Sequence, residues 1–129
     1  MTYYSHLECH HCGEKYDKSA VNSFCKKCTQ PLVAKYQLDA GITKDVINHE
    51  RYDMWRYAPL LPVENENSIV TLGEGWTPML NLKRTVSTTG ISSVLMKEEG
   101  LNPTGSCKAR GIGMAVSKAK ELGITSFCI

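Results

Sequence analysis

No stretch of this chain comes near the run of about 18 apolar residues that a membrane-spanning helix needs, so nothing in it reads as a transmembrane segment. The first residues, Met1-Thr2-Tyr3-Tyr4-Ser5-His6, lack the basic n-region and the apolar h-region of a signal peptide. The expected compartment is therefore cytoplasmic. Thiols stay reduced there, so the 6 cysteines read as metal ligands or free thiols before they read as disulfides. An excess of one charge is missing too: 15 Lys and Arg stand against 13 Asp and Glu, a net charge of +2. That is too mild to argue for nucleic acid or an anionic membrane surface as partner. What remains, 42% hydrophobic and 22% charged residues, is the make-up of a soluble globular protein. A length of 129 residues allows one ordinary domain, or a small module plus part of another.

The cysteines are not scattered. Cys9-His10-His11-Cys12-Gly13 and Cys25-Lys26-Lys27-Cys28 form two C-x-x-C pairs with 12 residues between Cys12 and Cys25. Two residues between thiolates let one tight turn aim both sulfurs at one ion, and two such turns close a tetrahedral S₄ site. That suits zinc, with iron in a rubredoxin-like site as the competitor. Neither pair is followed by His, which excludes haem attachment. His6, His10 and His11 read as solvated, since four sulfurs already fill the sphere. Residues 1–37 are thus expected to form a zinc ribbon, with short strands near Tyr3–Glu8, Glu14–Tyr16 and Leu32–Leu38. A unit of this size buries too little apolar surface to fold without a metal. Ribbons can bind nucleic acid, but no basic-aromatic stripe accompanies this one, so a structural or partner-docking role fits better.

Residues 38–68 read as a helical connector: Asp45–Tyr57 has helix-compatible spacing, Thr43 is a plausible N-cap, and Pro59 and Pro62 stop it. Trp55 and Tyr57 are expected to be packing residues. Then comes Ile69-Val70-Thr71-Leu72-Gly73-Glu74-Gly75-Trp76-Thr77-Pro78-Met79-Leu80, a constrained loop between short extended pieces. Its glycine-bracketed Glu74 reads locally as part of a capped turn, with a catalytic acid as the alternative.

The organising stretch is Lys97-Glu98-Glu99-Gly100-Leu101-Asn102-Pro103-Thr104-Gly105-Ser106-Cys107-Lys108-Ala109-Arg110-Gly111. A strand over Ser93–Lys97 runs into turn punctuation at Asn102-Pro103 and Gly105. Ser106 is a good N-cap. Ile112, Ala115, Val116, Ala119 and Leu122 then recur at helical spacing, and Gly123 sits where a C′ glycine belongs. Ile124–Ile129 begins another apolar strand, with Cys128 as a small buried hydrophobe. Strand, helix, strand is one unit of a parallel sheet. Lys108 thus falls in the first turn of a helix, where the macrodipole disfavours a cation. The same field, helped by desolvation, favours the free amine that an imine-forming lysine needs. A solvent-facing lysine that tolerates the dipole is the plain alternative.

The segment Asn102–Gly111 resembles the cofactor-lysine segment of the fold-type II pyridoxal-phosphate enzymes, and among them the threonine synthase family most closely. The sequence Gly73-Glu74-Gly75-Trp76-Thr77-Pro78 is similar to the Gly-Glu-Gly-x-Thr-Pro signature that precedes the cofactor domain in that family, and a zinc ribbon heads a subset of its members. One departure stands out: Cys107 replaces the usual aromatic, which removes apolar volume beside the lysine and leaves its amine intact.

The resemblance implies an α/β fold of the tryptophan synthase beta-like kind, a parallel-sheet domain beginning in residues 69–129 behind the ribbon. It implies pyridoxal 5'-phosphate carried by Lys108, structural zinc on Cys9, Cys12, Cys25 and Cys28, and conversion of O-phospho-L-homoserine and water to L-threonine and phosphate. Cysteate synthase and threonine dehydratase are alternatives within the fold, and a non-catalytic zinc-ribbon binding module lies outside it. Neither nucleic acid nor membrane is expected as a partner, and a homodimer of a full-length parent is left open. The phosphate loop and the residues facing the cofactor ring find no match here, so the sequence is expected to be incomplete and inactive alone.

Overall fold

The computed structural model describes residues 2–38, 41–126 and 128. Three strands make the N-terminal sheet: β1 (Tyr4–Cys9), β2 (Lys15–Tyr16) and β3 (Leu32–Tyr36). The order is β2-β1-β3 and both pairings are antiparallel, with Leu7 opposite Tyr16 on one side and Ala34 on the other. The strands agree with those expected from sequence to within a residue or two at each end. A register irregularity between Tyr4 and His6 turns Tyr4 inward, where it is buried.

Over residues 41–68 the continuous helix expected for Asp45–Tyr57 does not form. Two separate 3-10 segments, Lys44–Val46 and Met54–Leu60, take its place. Polar side chains explain the break, because they offer the backbone partners other than its own carbonyls. Asn48 Oδ1 accepts from the Glu50 N–H at 2.9 Å. Asp53 Oδ1 then accepts from the Trp55 N–H at 2.9 Å, which starts the second segment afresh. Thr43 does cap the first segment. Trp55, 1% exposed, anchors the apolar core with Met54 and Val63, and Leu61, Ile69 and Met114 pack against them.

The C-terminal half holds β4 (Met79–Asn81), α1 (Lys83–Thr89), β5 (Leu95–Lys97) and α2 (Lys108–Glu121). β4 and β5 pair antiparallel, Leu80 opposite Met96. The parallel unit expected from sequence is thus corrected: among the described residues every strand pair is antiparallel. Residues 124–126 and 128 carry no strand, Cys128 is exposed rather than buried, and Phe127 and Ile129, which the expected strand includes, lie outside the described residues. Helix α1 escapes the sequence pattern because Thr85, Val86, Thr88 and Thr89 are poor helix formers. Its threonines bond back to Arg84 and Thr85 carbonyls one turn earlier.

Helix α2 ends as its sequence promises. Gly123 adopts φ +74, its N–H reaches the Lys120 carbonyl at 3.1 Å, and the Ile124 N–H reaches Ala119 at 2.9 Å. Both bonds of a Schellman motif are present. The packed flank is not the apolar stripe: Ile112 is 38% exposed, whereas Ala109 and Ser117 are buried. Ser117 Oγ accepts from the Val70 N–H at 2.9 Å and donates to the Gly113 carbonyl at 2.7 Å. Glu121 Oε2 accepts from the Glu64 and Asn65 N–H groups at 2.6 and 2.7 Å. Polar contacts to the 64–70 segment therefore fix the rotation of α2. Its apolar stripe lines open clefts.

Candidate functional site

The first candidate centre is built from two copies of one turn. After Cys9, the Gly13 N–H donates to the Cys9 carbonyl at 3.0 Å and the Cys9 N–H to the Glu14 carbonyl at 2.9 Å. After Cys25, the Thr29 N–H donates to the Cys25 carbonyl at 2.8 Å and the Cys25 N–H to the Gln30 carbonyl at 2.9 Å. The turns bring Cys9, Cys12, Cys25 and Cys28 together, all sulfurs within 4.8 Å of one another. The shorter separations are 3.4 Å (Cys9–Cys28), 3.5 Å (Cys12–Cys25) and 3.6 Å (Cys12–Cys28). Four thiolates about 2.3 Å from a central ion stand about 3.8 Å apart in a tetrahedron, so the spacing and the all-sulfur donor set suit zinc. Tyr16 hydroxyl donates to Cys25 Sγ at 3.2 Å and, with help from the Lys27 and Cys28 N–H groups, pulls the Cys25 thiol down to about 6. His10 and His11 are exposed beside the centre.

The second centre lies at the start of α2. Asn102-Pro103-Thr104-Gly105 closes a turn through the Gly105 N–H and the Asn102 carbonyl at 2.7 Å, with proline and glycine where such turns want them. Ser106 Oγ accepts from the Lys108 N–H at 3.2 Å, as an N-cap hydroxyl does, although the helix itself begins at Lys108. Lys108 and Cys107 are exposed, and Lys108 has no ion-pair partner among the described residues. Lys108 lines a cleft of about 420 Å³ whose other walls include Leu72, Thr104, Ser106, Ile112 and Val116.

Behind Lys108 sits a network that sequence reasoning missed. Arg110 donates twice to Glu99, Nε at 2.7 Å and Nη2 at 2.8 Å. Thr77 and Asn102 also donate to the Glu99 carboxylate, and the Gly75 N–H donates to Asn102 Oδ1 at 3.0 Å. Arg110 first, then Thr77, hold the Glu99 carboxyl well below the usual carboxylate range. Three segments are thereby joined: the Gly75–Thr77 loop, the Glu99–Asn102 turn and the first turn of α2. No periodicity links Glu99 to Arg110, so only the folded chain reveals the pair.

Glu74 is 2% exposed. Its Oε2 accepts from Thr71 Oγ1 at 2.9 Å and the Leu72 N–H at 2.8 Å, which is the capped turn expected from sequence. Its Oε1 lies against Gly113 of α2, so close that a methyl there would meet it at 2.5 Å. Gly113 is what admits the loop to the helix.

Residues 70–128 match the family of pyridoxal-phosphate dependent enzymes. A threonine synthase of Methanosarcina acetivorans is 40% identical over 122 residues, which are 94% of this chain and 30% of that protein. The chain is related to the threonine synthases. The threonine synthase of Methanocaldococcus jannaschii is 34% identical over 119 residues, 90% of this chain and 29% of its own length. That of Halalkalibacterium halodurans is 49% identical over 67 residues, 52% of this chain and 19% of its own. The chain thus spans about 30% of the length of the first threonine synthases it matches. No solved structure matches it. Among the described residues no helix is long and apolar enough to cross a membrane.

Proposed function

We propose that this chain is the N-terminal part of a threonine synthase that converts O-phospho-L-homoserine and water to L-threonine and phosphate. In this reading residues 1–37 are a zinc ribbon on Cys9, Cys12, Cys25 and Cys28, residues 38–68 a helical connector, and residues 69–129 the beginning of the cofactor-binding catalytic domain. Lys108 holds pyridoxal 5'-phosphate. The observation that carries the assignment is the placement of Lys108: a lysine with no counter-ion among the described residues opens a helix at the wall of a largely apolar cleft of about 420 Å³, in the segment matched to the cofactor family.

Those residues suit the cofactor. Apolar walls at Leu72, Ile112 and Val116 accept a flat ring, and an unpaired amine is free to bond to an aldehyde. Bound there, the cofactor supplies an electron sink. This chain supplies position and proton transfer. The Glu99–Arg110 pair fixes the first turn of α2 and with it the Lys108 backbone. The Lys108 amine is the group that takes and returns protons at the substrate carbons. The spacing of the four sulfurs supports structural zinc. Borohydride reduction of the full-length protein loaded with pyridoxal phosphate, followed by peptide mapping, is expected to tag Lys108, and Lys108→Ala is expected to lose both tag and threonine formation. A tag at another lysine, or undiminished threonine formation in the variant, overturns the reading.

A further inference from the structure

Arg56 is a buried cation with no anionic partner among the described residues. It is 8% exposed, and its Nε is buried with no hydrogen-bond partner. No carboxylate pairs with it among the described residues: Asp53 pairs with Arg51 and Glu99 with Arg110, while Glu74 accepts from Thr71 and Leu72 through Oε2 and turns Oε1 toward Gly113. What faces the guanidinium is aromatic, the Trp76 ring at 4.4 Å and the Tyr57 ring at 5.6 Å. Rings engage a guanidinium through its flat face and leave the in-plane N–H fork unspent, and that fork is the donor array that matches a carboxylate or phosphoryl group. A buried charge with unfilled donors is costly unless something completes it.

The surroundings hold Arg56 and Trp76 together. The Met54 N–H donates to the Glu74 carbonyl at 2.8 Å. Gly75, at φ +113, presses so closely that a methyl there would meet the Met54 nitrogen at 2.6 Å. The Met54–Leu60 segment and the Glu74–Thr77 loop are thus locked, and Arg56 comes from one and Trp76 from the other. Trp76 adopts φ +51, a strained choice for an aromatic residue, yet the residue is 57% exposed. Tyr52 braces it edge-on at 5.1 Å. Strain there places an exposed indole as a cover over a buried cation.

We propose that Arg56 and Trp76 form an oxyanion-binding site that takes a carboxylate or phosphoryl group on the free edge of the guanidinium, beneath the indole. The site's existence rests on this geometry alone. Its use as an anchor for a phosphorylated amino-acid substrate rests on the proposed function. An anion entering here moves the Trp76 ring, so binding is read without catalysis.

The test is a fluorescence titration of the 129-residue chain with inorganic phosphate and, separately, acetate, at ionic strength held constant with sodium chloride. Trp55 is buried and gives the background, which Trp76→Phe isolates. A saturable change is expected in the native chain and none in Trp76→Phe. Arg56→Lys keeps the charge and loses the fork, and should raise the half-saturation concentration about tenfold. The anion that saturates at the lower concentration identifies the group the site prefers. A second measurement needs no variant: phosphate or acetate should slow modification of Arg56 by an arginine-directed dicarbonyl, located by peptide mapping. A response no greater than that to chloride, together with an unprotected Arg56, overturns the site, and it does so whether or not Lys108 takes up the cofactor.

Discussion

Gly13 and Thr29 occupy the same place in the two cysteine turns, at φ +73 and φ +59. Glycine adopts that conformation freely, whereas a side chain costs roughly 1–2 kcal/mol there. Thr29 is β-branched and holds the conformation partly through its hydroxyl, which donates to the Cys28 carbonyl at 2.7 Å. The two positions should therefore answer exchange in opposite directions. Thr29→Gly is expected to stabilise the chain by about 0.5–1 kcal/mol, the relief of strain less the entropy of glycine. Gly13→Thr is expected to cost about 1–2 kcal/mol. Thermal midpoints at one fixed zinc concentration check both, and destabilisation by Thr29→Gly would show that the Thr29 hydroxyl outweighs its backbone strain. Gly13 announces its turn in the sequence. Thr29 does not, because nothing in a threonine signals positive φ, and only the repetition of C-x-x-C reveals that the second turn copies the first.

At the scale of elements, what could be read in advance was whatever the chain encodes locally. The C-x-x-C turns, the Asn102–Gly105 turn, the run of α2 and its glycine end all depend on residues a few positions apart. The helix that spacing predicts over Asp45–Tyr57 does not form because Asn48 and Asp53 draw backbone N–H groups away from helical bonding, a competition that apolar spacing cannot show. The burial face of α2 was hidden for another reason: Ser117 and Glu121 satisfy backbone groups of residues 64–70, and polar contacts leave no hydrophobic period. The same holds for Glu99, which ties α2 to two loops. Its carboxyl is held well below the usual range by Arg110 first and Thr77 second. A depressed carboxyl adds stability that is complete above its ordinary value of 4.5 and is lost as pH falls below it. Glu99→Gln should thus be less stable than the native chain near neutrality, and the gap should narrow steadily below pH 4.5. Denaturant unfolding followed by α2 ellipticity at a series of pH values checks this, and a gap independent of pH would show that the Glu99 charge contributes nothing.

Among the described residues, six of the seven buried apolar residues fall into two groups of three, with Ala109 of α2 in neither. Met54, Trp55 and Val63 make one, closed by Met114 from α2. In the N-terminal sheet region the buried apolar residues are Tyr4, Cys9 and Cys25, so two of the three are proposed metal ligands. The core of that region is its cysteine cluster. Its strands run 6, 2 and 5 residues, too little sheet to stand unaided, while structural zinc supplies roughly 10–16 kcal/mol in small peptides. The hydrogen bonds to the rest are few among the described residues: the Tyr3 N–H to the Pro59 carbonyl at 2.8 Å, Thr2 Oγ1 to the Leu61 carbonyl at 2.6 Å, and Lys18 to Glu64 at 2.7 Å. Removal of zinc by a strong chelator is therefore expected to release β1–β3 without melting α2. Amide exchange should accelerate by about tenfold or more over Tyr4–Tyr36, since opening that costs several kcal/mol with metal becomes nearly free without it. The amides of Gly113–Glu121 should change far less, because α2 is anchored through the Ser117 and Glu121 side chains, which accept from the Val70, Glu64 and Asn65 N–H groups rather than from the ribbon. Equal acceleration in both regions would mean that Tyr4, wedged between the Lys18 and Lys118 ammonium groups at 5.7 and 5.3 Å, couples the ribbon to α2 strongly enough for the two to unfold as one.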